Sequence, residues 1–144
     1  MKQSQRIKPI CDYNQKREED AAKSLAKVSQ EVAMQKKRLS DLEGYRDEYS
    51  RQFTSAGSNG MAASRVRDFQ RFMGNLGKVV EQQKTAIKTL EKEYEEKKRQ
   101  WLAARNRVKA LHKVKDRYTL QENKAEEKKQ QKEQDDRNNR RISH

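Results

Sequence analysis

The stretch that decides the fold is Phe69–Leu111, FQRFMGNLGKVVEQQKTAIKTLEKEYEEKKRQWLAARNRVKAL. Within it Phe69, Met73, Leu76, Val80, Ile87, Leu90, Tyr94, Trp101, Ala104, Val108 and Leu111 recur in steps of three, four and seven, and Tyr118 continues the series. Gln83, Lys97 and, further on, Lys115 hold the positions where a polar side chain interrupts it. A spacing that averages about 3.5 residues puts a narrow apolar seam along one side of a helix facing one partner helix. An ordinary amphipathic helix drifts out of that register over so many turns.

Upstream, the same rhythm returns in Leu25, Val28, Val32, Leu39, Leu42 and Tyr49, with Gln35 at the missed position and Ala21 and Phe53 extending the stripe. Between the two series lies the one loop-like cluster, Thr54-Ser55-Ala56-Gly57-Ser58-Asn59-Gly60, while helix formers dominate on both sides. The expectation is an all-α fold: a long two-helix antiparallel coiled-coil hairpin with an overhanging C-terminal helix, forming one domain over residues 1–144. Helix 1 is placed at about 6–53, the loop at about 54–63, helix 2 at about 64–135 with Ser64 as its N-cap, and a polar, frayed tail to 144. Folding back about Ser58 sets Leu42 and Tyr45 near Leu76 and Phe72, Leu25 opposite Leu90 to Tyr94, and Ile7 near Leu111. Each arm of the paired section is then ~70 Å long. From about Lys113 the second helix is expected to have no intramolecular partner. Gly44, Gly74 and Gly77 mark a region of close approach or bending.

Composition agrees with a thin core. Hydrophobic residues make up 31% of the chain and charged ones 40%, too little apolar material for a thick globular interior. Pro9 lies near the N-terminus and obliges no break further on. Cys11 is the single cysteine, and no CxxC or Cys/His cluster is present, which fits a reduced, cytosolic setting. No apolar run approaches the ~20 residues of a membrane span. Met1 to Pro9 is basic but lacks the apolar stretch of a signal peptide.

The seam is imperfect, with Glu18, Gln35, Arg46, Gln83, Lys97 and Lys115 where a stable coiled coil prefers Leu or Ile. Polar seam residues of this kind specify register; the other reading is a weak rod that stiffens on docking. No catalytic constellation is visible. His112 and His144 are isolated, Glu91-Lys92-Glu93-Tyr94-Glu95-Glu96 reads as a solvated face, and no GxxxxGK[ST] or GxGxxG is present. A non-enzymatic protein without cofactor or metal is expected.

Charge is more informative. The formal net charge is +13, and from Lys97 to Lys115 the chain carries Lys97, Lys98, Arg99, Arg105, Arg107, Lys109, Lys113 and Lys115 with no acidic residue. This is either a solvated face or a positive helix able to enter an electronegative channel or meet a polyanion. Nucleic acid is disfavoured because the aromatics lie on the seam instead of interleaving with the basic residues. Near the loop, Leu42, Tyr45, Tyr49 and Phe53 on one arm and Phe69, Phe72, Met73, Leu76 and Val79 on the other exceed what one seam hides. Tyr45, Phe72 and Val79 fall outside the seam positions. They are either extra core or an exposed docking patch.

The pattern Leu42-x-x-Tyr45-x-x-Glu48-Tyr49 before a short Gly/Asn/Ser loop, then Phe69-x-x-Phe72-x-x-x-Leu76 and Gln82-Gln83, resembles the flagellar export protein FliJ family. A lone Trp101 in a charged helix and a Lys/Arg/Glu/Gln-rich tail complete the likeness, which spans nearly the whole chain. The resemblance implies a cytoplasmic component of the bacterial flagellar type III export apparatus. It is expected to sit peripherally at the cytoplasmic face of the inner membrane, without membrane insertion, as a stalk-like coiled coil similar to part of the γ stalk of F-type ATPases. The implied partners are the export ATPase FliI at its hexamer centre, the cytoplasmic domain of the export-gate protein FlhA, and export chaperones such as FlgN and FliT. The family's gate-docking positions correspond here to Leu42, Tyr45, Tyr49, Phe72, Leu76, Val79 and Gln83. Arg38 stands where a polar amide occurs in relatives, and no role is carried to it. Arg105, Arg107 and Lys109, with the N-terminal residues, are expected to contact the ATPase ring. The rival classes are a generic basic coiled-coil scaffold and a nucleic-acid-binding coiled coil.

Overall fold

A computed structural model describes every residue except Ser58, Asn59, Met61 and His144. Among the described residues there are two elements, α1 (Gln3–Ser55, 53 residues) and α2 (Ala63–Ile142, 80 residues). They pack against each other as an all-α hairpin. The expected reversal about Ser58 and the isolated His144 lie outside the described residues.

The α1 C-terminus closes where glycine permits it. Ala56 N–H donates to the Gln52 carbonyl at 2.9 Å and Gly57 N–H to the Thr54 carbonyl at 3.3 Å. Gly57 has φ of 79°, a left-handed conformation that ends a helix cheaply only without a Cβ. Thr54 and Ser55 belong to the helix and not to the loop, Thr54 Oγ1 donating back to the Ser50 carbonyl at 3.0 Å. At the start of α2, the Ala62 carbonyl accepts from Arg65 and Val66 N–H, so Ala62 holds the capping position expected for Ser64. Here the packed stripe beginning at Val66 and Phe69, half-buried on one face, sets where the helix starts; no side-chain oxygen is needed.

The chain divides into two compact units: Lys23–Arg99, and Met1–Ala22 with Gln100–His144. In the first unit the seam is built on Val28, Leu76, Val80 and Ile87, and Val80 is fully buried. Antiparallel register is read directly from its contacts. Phe53 stacks on Phe69 with centroids 3.8 Å apart, Gln83 Nε2 donates to Gln35 Oε1 at 2.7 Å and to the Gln35 carbonyl at 3.0 Å, and Lys36 meets Glu91 at 3.4 Å. Positions falling along α1 therefore match positions rising along α2. The paired glutamines turn two expected weak points into one satisfied polar layer, the arrangement that penalises a slipped register.

In the second unit Cys11 and Asn14 are the buried seam residues, Asn14 Nδ2 donating to the Ile10 carbonyl at 2.8 Å. Trp101 Nε1 donates to Glu18 Oε1 at 2.9 Å, which explains how a glutamate is tolerated on the seam. Pairing does not stop at Lys113 as expected. Glu122 accepts from Ser4 N–H at 3.1 Å and from Ser4 Oγ at 2.6 Å. The reason is that α1 starts at Gln3, ahead of Pro9, which costs it one internal hydrogen bond without ending it. Helix α2 also continues to Ile142 instead of ending near 135: the stretch contains no Gly or Pro and draws on strong helix formers, with Gln131 Nε2 donating to Asp135 Oδ1 at 3.3 Å one turn on.

Candidate interaction surfaces

The residues expected to dock a partner near the loop divide by burial. Leu76 is buried and Leu42 half-buried, so both serve the seam. Tyr45 (52% exposed), Val79 (44%), Tyr49 (38%) and Phe72 (37%) stand outside it. Tyr49 continues the apolar series in the sequence, yet Ser50 is the half-buried residue at that turn. The tyrosine ring steps outward to lie beside Phe72 (4.6 Å between centroids) and Phe69 (6.2 Å), with Tyr45 at 5.9 Å from Tyr49. The result is a tilted row of rings, each partly supported from below and open above. Aromatic groups held this way present large contact area with little side-chain entropy left to lose. Gln83 differs from the rest of the group, since its amide is directed into the seam toward Gln35.

The three basic residues expected to contact the ATPase ring do not share one face of α2. Residues two apart on a helix lie about 200° apart around its axis, so Arg105 and Arg107 cannot share a face. Arg105 lies over the Trp101 ring at 5.4 Å, one turn before it, and Lys109 follows one turn after. Arg107 faces the other way. It lines an open groove of about 300 Å³ with Asn14, Arg17 and Ala21 of α1 and Gln100, Ala103 and Ala104 of α2. Arg17 was not among the expected residues. The signal that would have found it is its place beside Asn14 and Ala21, flanking the seam of α1.

Electrostatics at Glu122 follow from its hydrogen bonds. The Ser4 hydroxyl first and the Ser4 N–H second hold this carboxyl below the usual carboxylate range; loss of hydration opposes them, and Lys2 and the Gln3 N–H add to them. The first turn of α1 contains no acidic residue of its own. Glu122 thus supplies from α2 the negative charge that a helix N-terminus favours, and satisfies a backbone donor that has no partner inside α1.

Among the described residues no group of three or more His, Cys, Asp or Glu side chains could hold a metal ion. Nor, among the described residues, is any helix long and apolar enough to cross a membrane. What the arrangement offers chemically is binding: aromatic surface in one unit and guanidinium-lined surface in the other. Compared with known protein families, residues 2–144 match the family described as Flagellar FliJ protein. No curated protein and no solved structure matches the chain.

Proposed function

The chain belongs to the FliJ family and is a component of the flagellar export apparatus, and from that premise we propose that it works by holding two partners at separate surfaces, without catalysing a reaction. The aromatic row of Tyr45, Tyr49 and Phe72, with Val79 beside it and Leu42, Leu76 and Gln83 beneath or at its edge, binds the cytoplasmic domain of the export-gate protein FlhA. The basic unit, through Arg105, Arg107 and Lys109, binds at the centre of the FliI ATPase hexamer and promotes its assembly and activity. Export chaperones such as FlgN and FliT are further partners, and the protein acts at the cytoplasmic face of the inner membrane.

The observation that carries this reading is the half-exposed aromatic row on a fold of two helices. Among the described residues there is no third element to cover it. Polar coiled coils seldom leave rings open to water at no purpose. The aromatic residues and the basic residues belong to different compact units, which supports two partners over one.

The test is binding of the purified chain to purified FliI and, separately, to the FlhA cytoplasmic domain, with ATP turnover followed in the first case. Both proteins should bind and turnover should rise. Failure to bind either, together with self-association, would identify a plain structural coiled coil. Tight, steeply salt-dependent binding to DNA or RNA in their place would identify a polyanion binder.

A further inference from the structure

We propose that the groove between Arg17 of α1 and Arg107 of α2 is the seat of an acidic helix from the ATPase, a deepening that rests on the ring-binding reading above. The floor is made of Ala21, Ala103 and Ala104. Alanines flanking a two-helix seam leave room for a third backbone to approach to the 8–10 Å at which helices pack. A large residue at any of the three would fill that space.

Charge selects the occupant. Two guanidiniums line the groove together with the amides of Asn14 and Gln100, and among the described residues no carboxylate lines it. Among the described residues neither Arg17 nor Arg107 is in an ion pair; Arg17 leans only over the Tyr13 ring, at 5.8 Å. In a self-sufficient coiled coil, positions flanking the seam carry opposite charges on the two helices. Here like charges flank it, and Lys97 to Lys115 holds no acidic residue to offset them. Self-repulsion of this kind is relieved by a carboxylate brought from outside. Guanidinium forks recognise carboxylates bidentately, so Asp or Glu on the docking helix is the matching chemistry. Arg105 and Lys109 lie on another face and take no part in this seat.

The experiment measures affinity for purified FliI of the full chain and of Arg17→Glu, Arg107→Glu, Ala103→Trp, Lys88→Glu and Lys92→Glu. Each of the four reversals changes net charge equally, so long-range attraction alone weakens all four alike. The groove predicts losses of about tenfold or more for Arg17→Glu and Arg107→Glu, and changes under about threefold for Lys88→Glu and Lys92→Glu, exposed lysines of the Lys23–Arg99 unit. Ala103→Trp, which keeps every charge, should weaken binding as well. Uniform losses, or full affinity of Arg17→Glu, overturn the groove and leave ring binding standing. No binding by the unaltered chain overturns both. Should a reversal reduce helicity by circular dichroism, Arg17→Gln and Arg107→Gln replace it, with the same order of effects expected.

Discussion

Glu122 caps the first turn of α1 from 118 positions away: its two carboxylate oxygens take the backbone N–H and the hydroxyl of Ser4. Because the folded carboxyl is held below its ordinary range, this contact contributes stability that is fully present above the ordinary glutamate pKa. That contribution is lost as pH falls toward and through the lowered folded value. Hydrogen exchange at the Ser4 amide should therefore be slower in the native chain than in Glu122→Gln near neutral pH. The difference should shrink as pH falls below the ordinary glutamate range of about 4.3 and on through the lowered folded value. A difference that persisted unchanged into acid would mean that the cap does not depend on charge.

Val79 and Val80 are neighbours in sequence with opposite fates, 44% and 0% exposed. Val80→Ala should cost about 2 kcal/mol in urea denaturation, the loss of two buried methyl groups with a residual void. Val79→Ala should change stability by less than about 0.5 kcal/mol. Equal costs would show that the seam is one residue out of register.

The Gln35–Gln83 layer makes a different forecast. Gln83→Ala leaves the half-buried Gln35 groups without their partner and should destabilise by about 1–2 kcal/mol. Replacing both with leucine should restore or exceed the original stability while loosening register. Cysteine pairs placed across the seam one turn apart would report it, cross-linking in a single register in the native chain and in more than one in the double variant.

Much of this was legible in the sequence. The seam from Val28 to Leu42 and from Leu76 to Leu111 follows from side-chain spacing alone, since each step depends on neighbours within two turns. What escaped depends on contacts across the fold. The capping of the first turn of α1 at Ser4 depends on a carboxylate arriving from Glu122, and the outward turn of Tyr49 depends on the rings of Phe69 and Phe72. The separation of Arg105 from Arg107 was present in their two-residue spacing, but a count of charges along the chain conceals direction around the helix.

For the aromatic row, Tyr45→Ala combined with Phe72→Ala should abolish binding to the FlhA cytoplasmic domain with helicity unchanged by circular dichroism. Both side chains are more than a third exposed, so their removal takes little from the seam. A large loss of helical signal would instead assign them to the core.

Cys11 is the chain's single thiol and lies 6% exposed between the helices. Nature has thereby placed one chemical reporter at a point where α1 and α2 meet. A thiol reagent can reach that sulfur only while the two helices are parted there. Its labelling rate, alone and with each partner bound, measures how often that part of the protein breathes, with no substitution needed.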